Sequence, residues 1–276
     1  MKFAICNEIF EGWSLQDICE VAGRAGYTGL EVAPFTLGKP VAQLLPMDRD
    51  SIRATVENAG LQVVGLHWCL AHTTGLHITS QERSVRNQTA DYLVELIHLC
   101  ADIGGSVIVF GSPKQRNLPE GVSRDEASAY AVEVFQSLVP TLKSREVIFC
   151  IEPLSPLETD FINTAEEAER IISQIGSPNV ALILDVKAMS SENKPIAGII
   201  RDHAHSIAHF HANDANLRGP GFGNTDFMPI AAALREIDYT GWVSVEVFDF
   251  TPDPITIANR SMGYLKSVFD ANRSLP

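Results

Sequence analysis

The sequence predicts a closed (β/α)8 barrel, and three observations carry that prediction. Four short apolar runs in the second half, 147–151, 180–184, 207–210 and 242–245, each lead into a metal-competent side chain: Glu152, Asp185, His211 and Glu246. The steps between those side chains are 33, 26 and 35 residues, each about one strand plus one helix with their loops. Eight strand–helix alternations fit into the 276 residues, the usual size of such a barrel. An open doubly wound sheet is the other architecture with this alternation. The first strand–helix turn carries no G-x-G-x-x-G, and one polar strand end on four successive strands suits a closed barrel better.

The elements follow in order. Residues 3–6 form a first strand reaching Asn7 and Glu8. Ser14 caps a helix with Leu15, Ile18, Val21, Ala22 and Ala25 at helical spacing, and Gly26 ends it. The second strand, 29–33, is closed by Pro34; 36–47 reads as an irregular connection, and a helix runs over 48–59 to Gly60. Strand 62–66 ends at His67 and Trp68, before a polar loop with His72 and His77 long enough to fold over the barrel mouth. A long helix, 80–103, stops at Gly104-Gly105; strand 106–110 opens into the loop 111–116, and a helix from 123 to about 143 precedes the fifth strand. After Glu152 comes a loop, 153–163, and a helix capped by Thr164 and running to 175. The sixth strand ends at Asp185 and precedes a helix over 192–204; the seventh ends at His211-Ala-Asn213-Asp214. A glycine-rich loop, 217–226, and a helix over 227–236 lead to the eighth strand, and a helix over 254–269 closes the chain. No composition shift or linker interrupts it, so 1–276 reads as a single domain.

Composition narrows the functional classes. A formal net charge of −13 disfavours nucleic acid and anionic membrane surfaces as partners, because both would repel it. The N-terminus has one Lys, a very short apolar run and then acids, unlike a signal peptide, and no window approaches a membrane span. The five cysteines, Cys6, Cys19, Cys69, Cys100 and Cys150, are odd in number and without C-x-x-C, which reads as reduced and buried in a cytoplasmic protein. A nucleophilic Cys is a minor alternative.

In a barrel, active sites form at the carboxyl ends of the strands, where all four metal-competent residues fall. One such Glu alone is most often a solvated loop residue. Two Glu, one Asp and one His at one end of one sheet make an oxygen-rich site for a hard or borderline divalent metal, such as Mn2+, Mg2+ or Co2+.

Several segments carry a family resemblance: IEPL (151–154), ETDFINT (158–164), LD (184–185), HFHAND (209–214), RGPGFG (218–223) and SVEVF (244–248). Together they resemble the xylose isomerase-like barrel superfamily, and within it the D-tagatose/D-psicose 3-epimerase group. The resemblance spans the whole chain and is strongest over 150–250. It implies that Glu152, Asp185, His211 and Glu246 bind one divalent ion, Mn2+ first, with Co2+, Mg2+ or Zn2+ as alternatives. It also implies that Glu152 and Glu246 double as the acid/base pair of an enediolate mechanism. Chelation of a carbonyl and its neighbouring hydroxyl acidifies the carbon-bound proton, and carboxylates on opposite faces can remove and return it. Glu158 matches a residue that binds substrate hydroxyls, and Arg218 one that holds substrate oxygens; their bland alternatives are a loop carboxylate and an ion pair with Asp214 or Asp226. His67 and Trp68 end the third strand, where they are candidates for substrate contact. Glu8, with Trp13, lies in the first loop as a candidate lining of the mouth. Trp242 reads as structural, and His203, His205 and His209 as core or surface.

One departure separates this chain from the resemblance. The epimerases carry a His three residues after the Asp that matches Asp185, and here that position is Ala188, within Asp185-Val-Lys187-Ala188. Lys187 offers a replacement donor. The expected function is therefore a metal-dependent isomerase or epimerase of a ketose or a related sugar or polyol-derived carbonyl compound. Elimination from a 3-keto-glycoside or dehydration of an inosose is the main alternative. An abasic-site endonuclease and a non-catalytic sugar-binding barrel rank below them. Relatives of this kind form homodimers or homotetramers, although nothing in the sequence specifies an interface.

Overall fold

A computed structural model describes residues 1–271; the last five positions of the expected 1–276 domain lie outside the described residues. Eight strands close into one barrel in chain order: β1 (Lys2–Cys6), β2 (Gly29–Val32), β3 (Gln62–Leu66), β4 (Val107–Phe110), β5 (Ile148–Ile151), β6 (Val180–Asp185), β7 (Ile207–Ala212) and β8 (Trp242–Val245). Every pair is parallel, including the β8–β1 closure.

The helices between them are α1 (Leu15–Ala25), α2 (Pro46–Asn58), α3 (Arg83–Asp102), α4 (Arg124–Arg145), α5 (Ala165–Ile175), α6 (Val186–Met189), α7 (Ile196–Asp202), α8 (Phe227–Glu236) and α9 (Pro254–Ala271). The caps read from sequence are present: the Ser14 and Thr164 hydroxyls accept from the Asp17 and Glu167 amides, and Gly26 closes α1 in the left-handed region. A separate single turn, α6, stands directly after Asp185, and the helix expected over 192–204 is the shorter α7, which begins only at Ile196. Pro195 is the reason, since the residue before a proline is held out of helical conformation. The irregular connection at 36–47 contains two short 3-10 turns, Pro34–Leu37 and Val41–Gln43.

Strand side chains alternate between two environments. Outward residues such as Ile5, Leu30, Ile108, Phe149, Leu182 and Phe210 join the helices in one continuous apolar shell. Inward residues fill the barrel in layers. Ala4, Val64 and Trp242 cluster together, with a Cβ on Gly29 falling 2.6 Å from the Trp242 ring, so Trp242 plugs the floor. Val107, Val109, Cys150 and Ile183 pack above them. The layer toward the strands' carboxyl ends is polar, and there the chemistry begins.

Candidate active site

Two steps along each strand keep a side chain on the inner face, so Cys150 is followed inward by Glu152, Ile183 by Asp185, His209 by His211 and Ser244 by Glu246. Strand register levels the last residues: Asp185 pairs with His211, and His211 with Ser244. The four predicted ligands therefore converge. Their ligand atoms all lie within 4.8 Å of one another, and all four side chains are buried. His211 Nδ1 is 3.1 Å from Glu246 Oε2 and 3.8 Å from Glu152 Oε1. Three carboxylates and one imidazole at this spacing fit a hard or borderline divalent cation.

Neighbouring polar side chains aim these candidate ligands. Glu31, wholly buried on β2, accepts from His211 Nε2 at 3.1 Å through one oxygen and from His209 Nε2 at 2.9 Å through the other. That fixes Nε2 of His211 as the outward nitrogen and turns Nδ1 toward the other three ligands. Asp185 Oδ1 caps α6 by accepting from the Ala188 amide, and its Oδ2 accepts from the Asn213 side chain. Trp68 Nε1 donates to Glu246 Oε1 at 2.8 Å. Glu152 Oε2 sits where a Cβ on Gly111 would lie only 2.3 Å away, so any side chain at 111 would displace that carboxylate.

The carboxyls differ electrostatically. Burial, with the Glu246 and Asp185 carboxylates beside it, pushes Glu152 well above the usual carboxylate range. Burial raises Glu246 too, but the neighbouring His211 imidazole overcomes it and holds that carboxyl low. Burial likewise opposes ionisation of Glu31, yet His209 and His211 hold it well below its ordinary value. His211 is buried, which disfavours its charge, but Glu246 and Glu31 raise it well above the ordinary histidine range.

A cleft of about 480 Å3 opens over the ligands. Among the expected substrate contacts, Glu158 and Trp68 line it, as do Glu152 and Glu246. Glu158 Oε1 is held by the Lys187 ammonium at 2.7 Å, while its buried Oε2 has no hydrogen-bond partner among the described residues. Lys187 itself lies behind this wall, 3.8 Å over the Phe248 ring, and is not among the lining residues. Arg218 is also away from the lining: it pairs with Asp249 at 2.8 Å and donates to Thr251, a loop ion pair with a different acid from either Asp214 or Asp226. His67 and Glu8 form a buried pair at 2.8 Å beneath the mouth, and Glu8 Oε1 accepts from the Val247 amide, bracing the residue after Glu246. Trp13 packs edge-on against Phe10, outside the lining residues.

Several contributors were not apparent from sequence. Glu31 looks like an ordinary strand Glu until the barrel closes; the available signal is a charge at an inward position of a strand buried on both faces. Arg116 is completely buried, and its guanidinium donates to the Glu152 carbonyl at 2.7 Å and the Ile162 carbonyl at 3.2 Å. Around it, Gln115 accepts from the Ile78 amide, Asn117 from Thr79 and Thr159, and Ser112 from the Leu70 amide. The loops after β3, β4 and β5 are thereby stitched together. The cysteines are all free and buried, and burial pushes Cys6 to about 11, which removes the nucleophile reading for that thiol. His203 is buried on Glu169, and His205 is exposed beside the same acid.

The sequence pattern of the xylose isomerase-like TIM barrel family matches residues 19–268. The chain belongs to that family. Among its relatives is the D-psicose 3-epimerase of Agrobacterium fabrum, 34% identical over 126 residues; the match covers 45% of this chain and spans only 44% of that enzyme's length. The 3-dehydro-D-guloside 4-epimerase of Escherichia coli is 22% identical over 277 residues, covering 97% of this chain and 100% of the relative. A crystal structure of a D-psicose 3-epimerase in the presence of D-fructose superposes with a TM-score of 0.82 at 22% identity, covering 98% of this chain and 99% of that one. At that identity the superposition speaks to the fold alone. Among the described residues no helix is long and apolar enough to cross a membrane.

Proposed function

We propose that this chain is a divalent-metal-dependent epimerase or isomerase of keto-sugars, working as one domain in the cytoplasm on a small sugar or polyol-derived substrate. Nucleic acid and membrane are not among its proposed partners. The observation that carries the reading is the convergence of Glu152, Asp185, His211 and Glu246 at the floor of an open cleft. Relatives named D-psicose 3-epimerase and 3-dehydro-D-guloside 4-epimerase support it, since both names describe inversion beside a carbonyl.

A bound cation, Mn2+ before Co2+, Mg2+ or Zn2+, would supply Lewis-acid polarisation of the substrate carbonyl. The chain's own groups do the rest. Glu152 and Glu246 reach the cleft from β5 and β8, so one can take the proton from the carbon beside the carbonyl and the other return one. Trp68 holds Glu246 Oε1 in place, and Glu152 Oε2 faces the space beside Gly111. The unpartnered Oε2 of Glu158 is an acceptor for a substrate hydroxyl.

Two measurements test this. Elemental analysis should find about one Mn2+ or similar ion per chain after loading, and none in Asp185→Ala. Loaded protein in D2O should exchange the proton beside the carbonyl of an accepted keto-sugar, read by NMR, and Glu246→Gln should abolish the exchange. Full turnover by Glu246→Gln on every accepted substrate would overturn the mechanism. Release of water or an aglycone in place of an epimer would move the assignment to a lyase.

A further inference from the structure

Four of the segments that follow the strands are tied together at one buried ammonium. Lys187 lies in α6, the single turn after β6, and is only 7% exposed. Its main chain is fixed: the amide donates to Asn213 Oδ1 at 2.7 Å, and the same Asn213 side chain donates to Asp185 Oδ2. An enclosed ammonium is costly unless it is paired. Here Nζ sits 2.7 Å from Glu158 Oε1, in the loop after β5, and 3.8 Å over the Phe248 ring, beyond the end of β8.

Both partners line the cleft, although Lys187 does not. On one side the ammonium occupies Glu158 Oε1 and leaves Oε2 as the oxygen open to a hydroxyl. On the other, Phe248 stacks on Trp68 at 5.9 Å and 22°, and Trp68 Nε1 donates to Glu246 Oε1 at 2.8 Å. Trp68 needs that support. Its φ of 51° lies in the left-handed region, which a bulky residue keeps only where its surroundings hold it. An unbroken series of contacts thus runs from Lys187 through Phe248 and Trp68 to Glu246, and a second, direct one runs to Glu158.

We propose that Lys187 is a positioning residue for both sides of the cleft. Its ammonium fixes Glu158 so that one oxygen receives a substrate hydroxyl, and through Phe248 and Trp68 it holds Glu246 in place for proton transfer. It acts on the substrate only through these groups. The positive charge is what matters at 187, because a neutral chain of the same length neither pairs with the carboxylate nor binds the face of the ring. The consequences for turnover rest on the keto-sugar reading above, and the test separates the two.

Lys187→Met and Lys187→Arg are compared with the wild type, metal-free for spectroscopy and Mn2+-loaded for turnover. The chain has three tryptophans, Trp13, Trp68 and Trp242, and Trp68→Phe identifies the Trp68 indole N–H among their resonances in a 15N-correlated spectrum. That resonance should move in Lys187→Met and stay near its wild-type position in Lys187→Arg, whose guanidinium can both pair and stack; Trp13 and Trp242 should not move. With D-psicose as the probe, proton exchange in D2O should show KM raised at least about tenfold in Lys187→Met, the order of one hydrogen bond to a charged group, with a lower kcat. In the Glu158→Gln background the same substitution should change KM by no more than about twofold. Lys187→Gln carries the same expectations if the methionine variant does not fold. An unmoved Trp68 resonance in a folded variant without the charge, three indoles moving together, or an undiminished rise in KM in the Glu158→Gln background overturns the proposal. Selective movement of Trp68 in a protein that turns over no keto-sugar supports the positioning role and sinks the keto-sugar reading. Turnover with an unmoved Trp68 does the reverse.

Discussion

Glu31→Gln isolates the role of a carboxylate that touches none of the proposed chemistry. The substitution keeps shape and removes charge from a wholly buried group bonded to two imidazoles, His209 at 2.9 Å and His211 at 3.1 Å. The amide keeps one acceptor oxygen, and its NH2 must face the other ring. If that ring is His209, its Nε2 must become an acceptor and its proton move to Nδ1, which is already buried without a partner. A donor stranded there costs about 1–3 kcal/mol. If the ring is His211, the proton moves onto the nitrogen needed for coordination. Outer-shell partners of this kind change metal affinity about 10–100-fold, roughly 1.4–2.7 kcal/mol. The upper part of that range applies, because the carboxylate is fully buried and serves both rings. Isothermal titration with Mn2+ measures the loss, and circular dichroism melting of the metal-free variant reports the accompanying destabilisation. Mn2+ affinity within about twofold of wild type, in a variant that folds, would refute the claim that Glu31 aims His211.

Three further outcomes follow from the same geometry. Gly111→Ala places a Cβ 2.3 Å from Glu152 Oε2; a displacement of about 1 Å there should cost roughly a hundredfold in exchange rate, read as kcat with metal content measured in parallel. Trp68→Phe preserves an aromatic surface but loses the 2.8 Å bond to Glu246 Oε1; about 1.5–3 kcal/mol for a bond to a charged acceptor should appear as a fall in kcat/KM on the keto-sugar that the wild type accepts. Mn2+ binding should release protons, because coordination needs a neutral His211 Nδ1 and an ionised Glu152, and both groups are raised in the metal-free protein. Affinity therefore rises with pH; calorimetry in buffers of different ionisation enthalpy counts the protons, and a count of zero would contradict the donor assignment.

The four candidate ligands were legible because each sits where an apolar strand gives way to a polar residue, at strand–helix spacing. Their supports were not, because those contacts cross the barrel instead of following the chain. Glu31 on β2 meets His209 and His211 on β7, strands that are not neighbours in the sheet. His67 was readable either as a substrate contact or as a packed loop residue; in the structure it is wholly buried and paired with Glu8. Arg218 looked placed for substrate, but Asp249, beyond the end of β8, lies close enough to claim its guanidinium. Arg116, in a segment reading Lys-Gln-Arg, resembles a solvated loop, and nothing local announces that its charge is enclosed. The late start of α7 was readable from Pro195 alone.

Arg116 has one more implication. Among the described residues its guanidinium bonds to carbonyl oxygens and to no carboxylate side chain, so its positive charge is spent on fixing main chain. Parting the loop after β4, which carries Arg116, from the loop after β5 would leave that charge facing vacated carbonyls. The segments around the cleft should accordingly behave as one stiff collar, presenting nearly the same aperture to each arriving molecule. Among descendants of such a protein, altered substrate preference would then arise through replacement of side chains projecting from the collar, at positions such as 72 and 114, with the collar itself inherited intact.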